Sequence, residues 1–224
     1  MFHIYVQPTD HGKAASVYQP QDTRDRLLRA AETLFAHKGY EATTVREITS
    51  AANTNLAAVN YHFGSKKNLY LEVFRQRWIP RARALLEPLE KLASRASVTL
   101  EEVVETLITA FMDLAGSSQE WQAHQMLIIR ELTRPGPALA MAYEQAIGPL
   151  LELASGLLAK VAGVGKKEAV LATLSIIAQS LYLSRIRPVL ALRGMGEGLE
   201  ELLRTHVKNF SLAGVRGLGR GEEQ

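Results

Sequence analysis

The sequence has no cysteine among its 224 residues. This absence excludes structural disulfides, thiolate nucleophiles and zinc sites built on thiolates. The six histidines show no metal-ligand spacing, and the glycine-rich segments 163–166 and 194–198 lack the length, or the preceding strand, of a phosphate-binding loop. We therefore expect no catalytic site, no metal and no cofactor, and we do not expect an enzyme.

Hydrophobic segments long enough for a membrane are also missing. The apolar run 169–184 is shorter than the roughly 18 to 20 residues that a spanning helix needs, and it contains Thr173, Ser175 and Gln179. The first twenty residues carry no signal-peptide pattern. We expect a cytoplasmic protein without a membrane partner, whose residues 1–21 form a flexible N-terminal arm.

The excess of positive charge is small, and it lies in one stretch. The net charge is +3, and residues 22–80 contain nine Lys or Arg against six Asp or Glu. The residues before this stretch have one charge of each sign, and those after it have sixteen of each. A polyanionic partner would therefore meet the segment 22–80.

Helical periodicity dominates the chain, because apolar residues recur at spacings of three and four, with no alternating strand pattern and no repeat. We predict an all-α fold in two units, with the boundary near Arg81. Pro80 should bend or end the fourth helix, and Gly148-Pro149 should kink a later one. The predicted helices are 23–38, 44–52, 56–63, 66–80, 99–115, 119–134, 138–158, 166–190 and 199–213, and the predicted domains are 22–80 and 81–214, followed by a disordered tail at 215–224.

The second and third predicted helices are short and separated by a tight turn. Thr44 and Glu47 have the spacing of a capping box at the start of the second, and Asn55 is the predicted cap of the third. Two short helices joined in this way and preceded by a longer one are typical of a DNA-binding helix-turn-helix, whose second helix enters the major groove.

The residues of this region also resemble a known family. The stretches 30–48, AAETLFAHKGYEATTVREI, and 61–66, YHFGSK, resemble the N-terminal domain of the TetR-type regulators over about 22–73. The segments 53–66, 130–132 and 143–149 look like the CecR-like subgroup, with coverage to about Gly163. The resemblance implies a three-helix DNA-binding domain and a C-terminal helical bundle that binds an effector and dimerises.

The resemblance also implies roles for single residues. Thr44 and Arg46 would approach phosphate from the start of the bracing helix. Many relatives have Lys at the position of Leu56 and Gly at that of Ala57, so base contacts are predicted from chemistry instead: Asn60 with adenine, and the two apolar side chains with a thymine methyl. The full set expected at DNA is Thr44, Arg46, Asn55, Leu56, Ala57, Asn60, Tyr61, His62 and Lys66, of which the last three would lie on the sugar-phosphate backbone.

In the C-terminal unit the resemblance implies a small-molecule effector, and a homodimer formed through 166–190 and 199–213. Polar and aromatic side chains are candidates for the pocket. A Met or an aromatic residue at helical spacing is more often core, and Arg130 with Glu131 is equally consistent with a structural ion pair. The candidates are Trp121, Gln125, Arg130, Tyr143, Gln179 and Tyr182, with His124 and Met126 beside them.

Two functions follow from these patterns. The first is a repressor that reads a pseudo-palindromic operator as a homodimer. The second is a helical enzyme or ligand carrier whose N-terminal domain only mediates assembly. The surface of 56–60 discriminates between them, because a regulator leaves it exposed and a scaffold buries it.

Overall fold

A computed structural model describes residues 20–115 and 119–219 of the chain. All regular structure within these ranges is helical, as the sequence predicted. Residues 1–19 of the predicted arm and 220–224 of the predicted tail lie outside the described residues.

Residues 20–83, here named the head, contain five helices around one core. The first helix lies against the other helices that form this core, and the fully buried Leu27, Leu28 and Phe35 line its inner side. Their spacing of one and seven residues places them on a single helix face. The helices are α1 (Pro20–Lys38), α2 (Val45–Ala51), α3 (Ala57–Phe63), α4 (Lys66–Val73) and α5 (Ile79–Arg83).

Residues 86–218, here named the bundle, form a second core made mainly of aliphatic side chains. Val103, Leu107, Leu158 and Val207 are fully buried in it. The helices are α6 (Leu86–Ala93), α7 (Leu100–Ala115), α8 (Gln119–Thr133), α9 (Leu139–Ala142), α10 (Gly148–Ala162), α11 (Lys166–Leu192) and α12 (Leu199–Leu218).

Helix α11 is long and apolar enough to cross a membrane by length and composition alone, and one third of its apolar window is buried. It packs against α7, α10 and α12, so its inner side belongs to the bundle core. The core helix of a soluble bundle has the same composition. Its outward side carries exposed Leu171, Leu174 and Tyr182.

Two wide π turns change the predicted behaviour of the prolines. They span Phe74–Trp78 and Tyr143–Ile147, and each is followed by a helix whose second residue is proline, Pro80 or Pro149. Proline has no N–H and crowds the carbonyl four residues earlier, a conflict that a wider turn relieves. The predicted end of a helix at Pro80 is therefore wrong, because the helical path continues to Arg83, and the predicted bend there stays a prediction.

Four helices are longer than predicted. Helix α1 begins at Pro20, so the last two residues of the predicted arm are helical, and α11 ends at Leu192. Helices α10 and α12 extend further, and packing explains the extension of α12. Helix α10 continues to Ala162, where Gly163 ends it with a φ of 66°. Helix α12 continues to Leu218 instead of ending at 213, because Val215 is buried in the bundle core. The first four residues of the predicted tail are therefore helical.

The two units pack against each other through residues of α8 and α9, a contact that the sequence did not indicate. The chain passes from one core to the other between Ala82 and Leu86, close to the boundary expected at Arg81. However, Leu127 of α8 and Ala142 of α9 are buried in the core of the head. The head is thus seated directly on two helices of the bundle.

Candidate nucleic-acid interface

The start of α2 is fixed by a complete capping box. Thr44 Oγ1 accepts from the backbone N–H of Glu47 at 3.2 Å, and the Thr44 N–H donates to Glu47 Oε2 at 2.8 Å. Lys38 at the end of α1 donates to the other carboxylate oxygen at 2.6 Å. The hydrogen bond from Lys38 and those from Thr44 lower the pKa of Glu47 from 4.5 to about 2. The carboxylate therefore ties α1 to the first turn of α2.

The turn between α2 and α3 is closed by backbone contacts. Asn53 has a φ of 49°, a left-handed conformation that asparagine tolerates better than most residues. Leu56 is already helical and caps α3 without a side-chain hydrogen bond, while the Asn55 carbonyl accepts from the Ala58 N–H at 3.1 Å. Asn55 is therefore not the side-chain cap that the sequence predicted, and it is exposed.

Helix α3 has a buried face and an exposed face. Ala58, Val59 and Phe63 point into the head. Leu56 is 59% exposed and Tyr61 is 81% exposed. Seven of the nine residues predicted to meet DNA are classed as exposed: Thr44, Arg46, Asn55, Leu56, Ala57, Asn60 and Tyr61.

Lys66 has an unexpected set of neighbours. Its Nζ donates to the carbonyl oxygens of Tyr40 at 2.9 Å and Thr43 at 3.0 Å, and it lies 4.4 Å from the centroid of the Tyr40 ring. Sequence reasoning placed an anion opposite this lysine, because a cation is unfavourable at a helix N-terminus. The negative groups that the structure provides are carbonyls of the loop 39–44. A phosphate contact by Lys66 stays a prediction, and its ammonium group points inward.

His62 is half-buried, and its ring meets that of Tyr61 edge-on with centroids 4.9 Å apart. Its Nε2 is buried and has no hydrogen-bond partner among the described residues. The exposed Tyr61 is accessible to a polar ligand, whereas the buried Nε2 of His62 is not, so a DNA contact by His62 stays a prediction.

The sequence pattern did not single out two residues that shape this surface. Tyr40 packs beside Phe35 and Tyr70, with its ring centroid 6.1 Å from that of Phe35 and 4.9 Å from that of Tyr70. The buried Thr43 donates to the Gly39 carbonyl at 2.8 Å. Both hold the loop 39–44 that leads to Thr44. The only sequence signal was the position of Thr43 directly before a capping box.

The structure does not bring the effector-pocket candidates together. Arg130 donates to backbone carbonyls of α1, and Gln125 accepts a hydrogen bond from Arg185. Tyr143 and Tyr182 are exposed, as is Met126, and the buried His124 lies against Glu32 of the head. The side chain of Trp121 lies outside the described residues. Their role toward an effector stays a prediction.

A groove of about 210 Å³ lies between α11 and α12, and among the candidates it includes only Gln179. Phe210, 61% exposed, stands on its wall, and the buried Ser211 Oγ beside it lacks a hydrogen-bond partner within the described part of the chain. The lining residues are Ala172, Ser175, Ile176, Gln179, Phe210, Ser211, Gly214, Val215 and Leu218.

Part of the sequence is shared with named transcriptional regulators. Curated relatives include the HTH-type transcriptional dual regulator CecR of Shigella flexneri, 29% identical over 61% of this chain and 63% of the relative. They also include the HTH-type transcriptional repressor KstR2 of Mycolicibacterium smegmatis, 37% identical over 38% of this chain and 45% of the relative. The chain thus matches less than two thirds of the length of either.

A solved structure of a TetR-like transcriptional regulator from Rhodococcus sp. RHA1 has the same fold. It aligns with a TM-score of 0.61 over 87% of this chain and 96% of that chain, at 15% identity. This likeness concerns the fold alone.

Two family matches cover both units. Residues 27–73 match the bacterial regulatory proteins of the tetR family, and residues 98–215 match the C-terminal domain of the HTH-type transcriptional dual regulator CecR. The second match alone covers more than half of the chain, and the first coincides with the helix-turn-helix of the head. The chain therefore belongs to the TetR family of bacterial regulatory proteins, with a C-terminal domain of the CecR type.

Proposed function

We propose that the protein is a ligand-responsive transcriptional repressor that binds a pseudo-palindromic operator as a homodimer. The proposal depends on one observation, the exposed outer face of α3 and of the two residues before it. The exposed residues are Asn55, Leu56, Ala57, Asn60 and Tyr61. A domain that only mediated assembly would bury this face in the assembled protein, whereas a regulator leaves it exposed to DNA. The names of the relatives, a repressor and a dual regulator of transcription, support the same function.

The chemistry of the exposed face suits a duplex. Asn60 can pair with the N6 and N7 groups of adenine, and Leu56 can pack against a thymine methyl. Arg46 stands in the first turn of α2, where its charge and the free backbone N–H groups both favour a phosphate. The charge surplus of the segment 22–80 has the sign that this partner requires.

A second copy of the chain is the partner proposed for α11 and α12. Leu171 and Leu174 of α11 and Phe210 of α12 are exposed apolar side chains next to the groove. Under twofold symmetry the same surface meets itself, and covering it would bury the groove. The dimer would present two copies of α3 roughly 34 to 36 Å apart, or one helical turn of DNA.

The remaining parts of the proposal follow from the CecR-type bundle. A small molecule bound within it would favour one arrangement of the two heads and change operator affinity by a coupling energy of about 1 to 3 kcal/mol. A dimer on a promoter most simply blocks polymerase, which gives repression. The protein would act in the bacterial cytoplasm, where the chromosome lies.

Selection of bound duplexes from a random pool tests the proposal. We expect enrichment of a pseudo-palindrome, with log affinity falling with log salt at about 0.9 per phosphate neutralised. The control carries Arg46→Ala and Asn60→Ala together, changes of exposed side chains that leave the fold intact, and it should select no such sequence. Absence of enrichment at low salt, or binding independent of salt, would contradict the proposal.

A further inference from the structure

One face of α8 is built as a seat for the head. His124, Leu127, Arg130 and Glu131 follow each other at spacings of three, three and one, so they share a side of the helix. His124 lies against Glu32 of α1, and Leu127 is buried in the core of the head. These four residues are named the docking strip.

Arg130 binds the end of α1. Its Nε donates to the Ala36 carbonyl at 3.0 Å and its Nη2 donates to the His37 carbonyl at 2.6 Å. The last carbonyls of a helix have no partner within the helix and carry the negative end of its dipole. A guanidinium group from the bundle therefore completes a helix of the head.

The end of α1 leads directly to the surface proposed to meet DNA. Gly39 follows with a φ of 84°, and a Cβ added there would come within 3.3 Å of Arg130 Nη1. The loop 39–44 then runs to Thr44 and Arg46, and Lys66 holds the carbonyls of that loop from the other side. A shift of Arg130 would therefore move the loop that presents Arg46.

Glu131 holds a second helix of the head. Its Oε1 accepts from the Tyr70 hydroxyl of α4 at 2.6 Å. Its Oε2 accepts from the backbone N–H groups of Gly136 at 3.1 Å and Ala138 at 3.2 Å. The carboxylate is buried, and each of its contacts is geometrically specific. Adjacent residues of α8 thus fix α1 and α4 at separate points.

We propose that Arg130 and Glu131 are positioning residues for DNA binding, through which the bundle sets the place of the loop 39–44 and of α2. The inference rests on the proposed function. It assigns to Arg130 a contact with the head, where the sequence left both an effector contact and an ion pair with Glu131 open. Neither residue is proposed to touch DNA.

The first test compares full-length Arg130→Met and Arg130→Lys with Arg134→Met, an exposed arginine one turn further along the chain. Amide exchange at 37–44 should accelerate about tenfold in Arg130→Met, the factor for about 1.4 kcal/mol, and less in Arg130→Lys. Exchange in α11 and α12 should not change. Affinity for the selected duplex should fall about tenfold at an unchanged salt slope, because no phosphate contact is lost. Arg134→Met should match the wild type.

Unchanged exchange at 37–44 in Arg130→Met would overturn the inference. So would a salt slope smaller by about 0.9, since Arg130 would then itself neutralise a phosphate. If Arg130→Met unfolds, Glu131→Gln provides the second variant, with faster exchange in α4 expected and unchanged exchange in α4 refuting the role of Glu131. If the wild type selects no duplex, the proposed function fails, while exchange at 37–44 still decides whether α8 holds the loop.

Discussion

The head and the bundle expose opposite kinds of surface. On the head, Arg46, Asn60 and Tyr61 offer charge and hydrogen bonds around a short helix. On the bundle, Leu174 and Phe210 offer apolar area beside a groove. Charged and hydrogen-bonding side chains suit a contact with a nucleic acid, whereas exposed apolar side chains suit a contact with another apolar protein surface. The polar surface of the head is the one proposed for DNA, and the apolar surface of the bundle is the one proposed for a second copy of the chain.

The cores of the two units differ as well. In the head, the centroids of successive rings lie 4.8 Å apart for Phe35 and Tyr70, 5.2 Å for Tyr70 and Phe74, and 5.7 Å for Phe74 and Trp78. The bundle core is aliphatic in the main. Aromatic rings bring large buried area and, in Tyr70, a hydroxyl that reaches Glu131. The smaller unit thus fills its core with rings and is tied to the larger one by the polar end of one of them.

Phe210→Glu should produce the largest effect, because it places an unpaired charge on the apolar face of the bundle. We expect self-association to weaken by about 100-fold, or about 2.7 kcal/mol. Sedimentation over a concentration series measures this. Leu132→Glu is the matched control, since Leu132 is 59% exposed on α8, outside the proposed interface, against 61% for Phe210. If Phe210→Glu sediments like the wild type, the apolar face of the bundle does not mediate self-association.

Asn60→Ala tests the surface of the head. Preference at one base pair should relax by about 1 to 3 kcal/mol, because a bidentate contact with adenine is lost. Competition between the selected duplex and single-base variants measures it. Gln145→Ala changes an exposed amide side chain between α9 and α10, outside the proposed DNA and dimer surfaces, and should alter nothing. An equal loss of affinity for every sequence would show that Asn60 contacts the DNA backbone and not a base.

Lys66→Met tests whether Lys66 stabilises the fold of the head, contacts DNA phosphate, or does both. Loss of the charged hydrogen bonds to the loop 39–44 should lower the free energy of unfolding by about 1 to 3 kcal/mol, and loss of the predicted phosphate contact should flatten the salt slope. Denaturant unfolding measures the first quantity. The exposed neighbour Lys67 provides the control, because Lys67→Met should change stability by less than about 0.5 kcal/mol. A stable Lys66→Met variant with a flatter salt slope would instead place this lysine on a phosphate alone.

The acid titration of Glu47 should give the smallest effect. Its pKa of about 2 lies below the ordinary 4.5, so its contribution to the stability of the head is complete above pH 4.5 and is lost as the pH falls toward 2. Carboxyl chemical shifts measure the titration. Lys38→Met should raise this pKa toward 4.5, because the hydrogen bond from Lys38 is the main cause of the shift. Lys91→Met, which removes the hydrogen bond that lowers the pKa of Glu87 in the bundle, should leave Glu47 unchanged.

Local patterns predicted the helices and the exposed face of α3 well, but they failed where distant residues intervene. The box of Thr44 and Glu47 lies within four residues, and both of its hydrogen bonds are present. Of the bend or end predicted at Pro80, the end did not occur, because a π turn before it accommodates the proline. The partners of Lys66 lie 23 and 26 residues away, and no periodicity relates them.

The sequence by itself determined which faces of the short helices are polar, because side-chain spacing and helix geometry settle that locally. It also determined the family, because its motifs are contiguous. Only the tertiary structure decided that Arg130 and Glu131 form hydrogen bonds with the head, since their partners lie 94 and 61 residues earlier in the chain. Contacts over such separations depend on how the two units pack, and packing is a property of the whole chain.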